Sequence, residues 1–145
     1  MVPDKYPEKL IPMTIKSALA GRTIPIYGDG QQIRDWIYVG DHANALRLVA
    51  RDGVIGETYN IGGETEISNI KLVEKICAIL DKTSKSTMPN GLSHSNLIRF
   101  VTDRPGHDRR YGLDISKIKA ELNWRPEMQI DDGLIETVKW YQTIF

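Results

Sequence analysis

Apolar residues recur along this chain at helical spacing in five places and gather into short β-branched runs between them. Ile11, Ile15, Ala18 and Leu19 stand at i, i+4, i+7 and i+8, which predicts a helix from Glu8 to Ala20. Pro12 falls in its first turn, where a missing N–H costs nothing, and Gly21 supplies the stop. Thr23 to Tyr27 is β-rich, and Pro25 confines it to an edge strand or an extended arm. Gln31 to Val39 is a second β-rich run. Asp41 is placed to cap a helix through Arg51, with Leu46, Val49 and Ala50 inward and Gly53 at the stop.

Glu57 to Ile61 reads as a short strand closed by Gly62-Gly63. Ser68 is expected to cap a helix that turns Ile70, Val73, Cys77 and Leu80 inward. Lys82 to Leu97 is polar, aperiodic and broken by Pro89-Asn90-Gly91, the pattern of a flexible surface loop with a solvated His94. Ile98 to Val101 is a fourth strand. Asp114 is expected to cap a short helix carrying Ile115, Ile118 and Leu122, ended by Asn123 to Pro126. Asp131 is expected to cap a last helix with Leu134, Val138 and Tyr141 inward. Five helices with four short, scattered strands make an α/β piece (α+β in isolation), read as one domain over 1–145, with the sheet its least specified part.

Composition narrows the function. Lys plus Arg is 19 and Asp plus Glu is 19, so formal charge is zero, which argues against a nucleic-acid binder held by bulk charge. No run approaches the apolar length of a membrane span, and the N-terminus has no apolar signal core. Cys77 is the one cysteine, so no intrachain disulfide forms, and it reads as a small core residue. His42, His94 and His107 fit no paired metal-ligand spacing. A cytoplasmic, reduced setting is expected.

Familiar cofactor loops and catalytic pairs are missing from the sequence. Gly28-Asp-Gly30 resembles the start of a dinucleotide fingerprint, but Ile33 takes the third position and a β-rich run follows, so a tight turn between strands is expected. No tyrosine is followed four residues later by lysine, and no phosphate loop or nucleophile elbow is present. Arginine is what stands out. Arg34 sits in a β-rich run beside Asp35, and Arg104, Arg109 and Arg110 surround a Pro-Gly turn with His107. Guanidinium forks match phosphate oxygens two bonds at a time. The same residues could form a salt-bridged loop through Asp103 and Asp108, and the residues alone leave both readings open.

Five runs carry a family resemblance: Pro7–Pro12 (PEKLIP), Pro25–Leu46 (PIYGDGQQIRDWIYVGDHANAL), Thr58–Gly63 (TYNIGG), Asp103–Asp114 (DRPGHDRRYGLD) and Leu122–Pro126 (LNWRP). Together they resemble the C-terminal, nucleotide-sugar-binding portion of the dTDP-glucose 4,6-dehydratase family, extended short-chain dehydrogenase/reductases of the NAD-dependent epimerase/dehydratase superfamily. The RDW and YNIGG runs are shared with related epimerases, while KLIP and DRPGHDRRY point to the dehydratases. The resemblance implies that Lys9, Leu10, Ile11, Pro25, Tyr27, Arg34, Asn60, Arg104 and His107 hold the nucleotide sugar, dTDP-glucose or a relative of it. It implies building and orienting roles for Asp35, Trp36, Asp41 and Asp108.

The full family enzyme oxidises the sugar with bound NAD, eliminates water and returns the hydride, giving dTDP-4-keto-6-deoxyglucose. Its glycine-rich loop, Thr-Asp-Glu set and Tyr-x-x-x-Lys pair are not in this sequence. The chain is therefore expected to bind no NAD, to lack most of the nucleotide-binding sheet and to be inactive alone. Self-association or a separate N-terminal partner is expected to cover an orphaned strand edge. The alternatives are the substrate part of a related epimerase or decarboxylase, and a non-catalytic binding or assembly module.

Overall fold

The computed structural model describes residues 9–84, 88 and 91–145. In chain order it contains α1 (Leu10–Leu19), β1 (Ile24–Tyr27), β2 (Ile33–Asp35), α2 (Val39–Asp52), β3 (Glu66–Ser68) and α3 (Asn69–Thr83). A 3-10 turn (His94–Leu97), β4 (Ile98–Val101), β5 (Arg110–Tyr111), α4 (Ser116–Leu122) and α5 (Ile130–Ile144) follow. The result is an α/β arrangement with two small sheets. β1 and β4 pair in parallel, Ile24 opposite Ile98 and Tyr27 opposite Val101. β2 runs between antiparallel β3 and parallel β5, so Arg34 has Ile67 on one side and Tyr111 on the other.

Two apolar clusters hold these elements. The larger joins α1, β1, α3 and α5 through Ile15, Ile24, Ile26, Leu72, Val73, Ile76, Leu80 and Val138, all buried. Burying each such side chain contributes about 1.5–3 kcal/mol, which lets α3, buried along most of one side, organise the fold. The smaller cluster joins α2 to α4 through Ala45, Ile115, Ile118 and Trp124. Cys77 lies in the larger cluster, and burial pushes its thiol up to about 12, as befits an inert core residue.

Several expectations change in the structure. On α2 Val49 packs inward as expected, but the fully buried residue is Ala45, with Leu48 beside it, while Leu46 and Ala50 are exposed. Tyr38 occupies the cap position of α2, and the Asp41 carboxylate accepts the Glu127 and Met128 amides instead, at 3.1 and 2.9 Å. Ser68 stands at the cap of α3 but makes no cap bond. The Gln32 and Gly30 carbonyls accept the Asn69 and Ile70 amides in its place. Gln129, not Asp131, precedes α5, and Asp131 pairs with Lys75 at 2.6 Å. Residues 57–61 form no strand, since none of the described strands lies alongside to complete a ladder, and Tyr59 and Ile61 pack on the smaller cluster.

The expected loop over 82–97 is largely structured where described. Lys82 and Thr83 close α3, and Ser93 caps the 3-10 turn. His94 is 3 % exposed rather than solvated. Its Nδ1 meets Asp81 at 2.5 Å, a long-range pairing that no local pattern reveals. Burial alone would raise the Asp81 carboxyl, but hydrogen bonds from Ser93 and from the amide and ring of His94 hold it below its ordinary range. Residues 85–87 and 89–90 of that loop, and Pro7 and Glu8 of the first run, lie outside the described residues. Among the described residues no helix is long and apolar enough to cross a membrane.

Candidate functional site

The Gly28–Gly30 turn positions the site. Both glycines have positive φ, 59° and 70°, and the Gly30 amide donates to the Tyr27 carbonyl. A side chain at Gly28 would meet the Asp103 carboxylate at 2.7 Å, so the turn closes directly on the Asp103–Tyr111 segment. The turn carries the chain from β1 into β2, a strand of the other sheet. It opens into a strand and not a helix, as expected.

Asp35 serves as a backbone clamp. Its two carboxylate oxygens accept the Gly63 and Thr65 amides, each at 2.9 Å, which fixes the Gly62-Gly63 segment against β2. Arg34 is therefore not its partner. The Arg34 guanidinium donates to the Ile33 and Asp108 carbonyls at 2.7 and 2.9 Å and lies 4.2 Å over the Tyr111 ring. No carboxylate among the described residues pairs with it. Of the three arginines around the Pro-Gly turn, Arg109 pairs with Asp29 and Arg110 with Glu66, neither of them the aspartates that sequence proximity suggests. Among the described residues only Asp103 engages Arg104, through its backbone amide. Asp103 also accepts from His107 Nδ1 at 2.7 Å and from Gln32 Nε2 at 2.9 Å. The His107 bond first, aided by the Arg104 amide, holds the Asp103 carboxyl below the usual carboxylate range.

These elements enclose a cleft of about 360 Å³ between the start of α1, the end of β1, β2 and the Asp103–Tyr111 segment. Seven of the nine residues singled out in the sequence line it: Lys9, Leu10, Ile11, Tyr27, Arg34, Arg104 and His107. Pro25 and Asn60 do not. Pro25 lies within β1 between buried Ile24 and Ile26, and the Asn60 amide donates to the Asp114 carbonyl beside α4. Trp36 and Asn69 also line the cleft. Trp36 joins the two functions, walling the cleft and donating to the Ile67 carbonyl at 3.4 Å. Asn69 opens α3, and only the β2–β3 pairing brings it near Arg34.

The electrostatics are one-sided. Three permanent cations, Lys9, Arg34 and Arg104, line the cleft, and among the described residues no carboxylate does, although the chain as a whole is neutral. The N-terminal end of α1, the positive end of its helix dipole, lies at the same place. Such a cleft suits a polyanion attached to a flat, partly apolar group that can lie against Tyr27 and Trp36. Among the described residues no group of His, Cys, Asp and Glu is arranged to hold a metal ion.

Known proteins resemble the chain over nearly its full length. The family model for GDP-mannose 4,6-dehydratase matches residues 2–137. The dTDP-glucose 4,6-dehydratase of Xanthomonas campestris pv. campestris (strain ATCC 33913) is 50% identical over 141 residues, covering 97% of this chain and 40% of the relative. That of Escherichia coli is 52% identical over 140 residues, covering 96% and 38%. The chain thus spans about two-fifths of the length of these relatives. A crystal structure of the Bacillus anthracis dTDP-glucose 4,6-dehydratase, in complex with NAD, superposes with a TM-score of 0.81 at 44% identity. It covers 95% of this chain and 40% of that one, and the matching region is its C-terminal part. A UDP-glucose 4-epimerase from Thermotoga maritima, solved with UDP-glucose, superposes at 0.79 with 26% identity, covering 94% and 40%. With the family model matched from residue 2 to residue 137, the chain belongs to the GDP-mannose 4,6-dehydratase family.

Proposed function

We propose that the cleft is the nucleotide-sugar site of a dTDP-glucose 4,6-dehydratase, and that this chain carries the substrate-binding part of such an enzyme. The observation that carries this reading is the gathering of Lys9, Arg34 and Arg104 in the cleft of a neutral chain, with no opposing carboxylate among the described residues. Arg34 and Arg104 clamp the diphosphate, Lys9 and the start of α1 add positive potential, and Tyr27 and Trp36 flank the base. Pro25 stiffens the strand that presents Tyr27. Asn60 supports the site indirectly, by holding the Asp114 carbonyl.

The whole enzyme would convert dTDP-glucose to dTDP-4-keto-6-deoxyglucose with NAD, in the reducing cytoplasm that a lone buried thiol suits. The Gly28–Gly30 turn does not fit NAD. The Gly28–Gly30 turn leads into a strand rather than a helix, so no amide-lined cradle for a pyrophosphate forms there. This chain is therefore assigned binding and orientation of the sugar nucleotide, and no hydride-transfer step.

Calorimetric titration with dTDP-glucose, UDP-glucose and GDP-mannose tests the reading. dTDP-glucose is expected to bind most tightly, and the affinity to weaken as salt rises. A preference for UDP-glucose would move the chain to the epimerase side, where the Thermotoga maritima structure lies at lower identity. No binding of any of the three would reject a nucleotide-sugar site.

A further inference from the structure

His107 is held from behind. Its side chain is 6% exposed, it lines the cleft, and its Nδ1 meets Asp103 Oδ1 at 2.7 Å. An ionised carboxylate can only accept, so Nδ1 carries the proton and Nε2 is the ring nitrogen left for a ligand. Asp103 is itself held on its other oxygen by Gln32 Nε2 at 2.9 Å. Gln32 is 2 % exposed, and its own Oε1 is buried with no hydrogen-bond partner among the described residues. Gly28 packs against the same carboxylate, too close for any side chain. Gln32, Gly28 and Asp103 thus form a rigid backing for one imidazole, in a segment otherwise exposed.

We infer that Gln32 and Asp103 are positioning residues that make His107 a proton-linked donor to the diphosphate of the bound sugar nucleotide. This rests on the nucleotide-sugar reading of the cleft. With Nδ1–H committed to Asp103, a neutral ring offers a lone pair at Nε2, which repels a phosphate oxygen. A ring protonated at both nitrogens donates to the ligand from Nε2 while Asp103 balances its charge. Around the ring, Lys9 comes from the start of α1, Tyr27 from β1, Arg34 from β2, and Arg104 and Asp103 from its own segment. An arriving diphosphate answers the three cations and admits the further proton. Binding therefore takes up a proton wherever the free ring is neutral, and affinity depends on pH although neither arginine titrates.

The probe is dTDP-glucose, whose diphosphate is esterified at both ends and has no proton to lose near neutrality. Calorimetry in buffers of different ionisation enthalpy, from about pH 5.5 to about pH 9, counts the protons. The wild-type Kd should be level at the acid end and then rise about tenfold per pH unit, with uptake approaching one proton per ligand. His107→Gln should abolish both the uptake and the rise. Asp103→Asn should move the rise to lower pH, and Gln32→Met should move it the same way by less. A purely structural role for Asp103 would weaken binding equally at every pH and leave the rise in place, which would overturn the inference. Wild-type binding with a flat profile and no uptake would overturn it while leaving the nucleotide site standing. No binding at any pH would remove both. Should Asp103→Asn fail to fold, the wild-type and Gln32→Met profiles still decide.

Discussion

Arg34 and Arg104 line one cleft, but the structure engages them differently, and truncating each to alanine separates binding from stability. Arg34 donates to the Asp108 carbonyl at 2.9 Å and stacks 4.2 Å from Tyr111, so it ties β2 to the β5 segment before any ligand arrives. A hydrogen bond from a charged donor is worth about 1.5–3 kcal/mol and an exposed cation–π contact about 0.5–1 kcal/mol. Partial exposure places the combined loss on Arg34→Ala near 1–3 kcal/mol, a fall of several degrees in Tm. The Arg104 side chain is exposed, and only its backbone amide bonds to Asp103, so Arg104→Ala should leave stability within about 0.5 kcal/mol of wild type. For binding the two should behave alike. Each loses a charge-assisted contact to the diphosphate, about 1.5–3 kcal/mol, or roughly ten- to a hundredfold in Kd. Arg34→Lys should recover little, because an ammonium keeps the charge but neither the fork nor the stack. Paired calorimetry with dTDP-glucose and thermal melts read both quantities. Wild-type affinity in both alanine variants would refute the clamp, and a Tm loss in Arg104→Ala equal to that in Arg34→Ala would refute the division of labour.

Gly63→Ala should be severely destabilising, since the added carbon would lie 1.8 Å from the Trp36 carbonyl oxygen, backbone that cannot step aside. Urea unfolding should show a loss of at least about 3 kcal/mol, and an unchanged midpoint would contradict the packing of the Gly62-Gly63 segment against β2. The Asp81 carboxyl is held below its ordinary value in the folded state, so the stability it supplies is present above about pH 3.9 and is lost as pH falls below that. Asp81→Asn should flatten the acid side of a Tm-against-pH curve, and curves that stay parallel to wild type down to about pH 2.5 would remove the assignment. Purified chain should show no NAD binding by fluorescence and form no 4-keto-6-deoxy product from dTDP-glucose. Either signal would mean that a dinucleotide site exists which the Gly28–Gly30 turn does not provide.

The larger cluster and the helices around it were legible in the sequence because they are local. Val73, Cys77 and Leu80 on α3, and Leu134, Val138 and Tyr141 on α5, repeat at the period of a helix that must bury one face. The arginine-rich segment and the glycine turn were legible as chemistry for the same reason, since neighbouring residues announce them. What the chain order could not convey was who pairs with whom. Arg109 and Arg110 find Asp29 and Glu66, His94 finds Asp81, and Asp35 clamps amides at Gly63 and Thr65. On α2 the periodicity finds Val49 but not Ala45, because one small residue allows a close helix contact that a count of large apolar side chains does not weigh. Asn69 gave no signal, since a residue opening a helix looks alike whether or not a cleft lies beside it. Sequence alone determined the helices, the core and the presence of unusually placed arginines, because periodicity and residue chemistry act over a few positions. Only the tertiary structure decided that Lys9, Arg34 and Arg104 line one cleft with no acid between them among the described residues. That concentration of charge depends on β2 lying between two strands distant in the chain, and on carboxylates elsewhere being already committed to other partners.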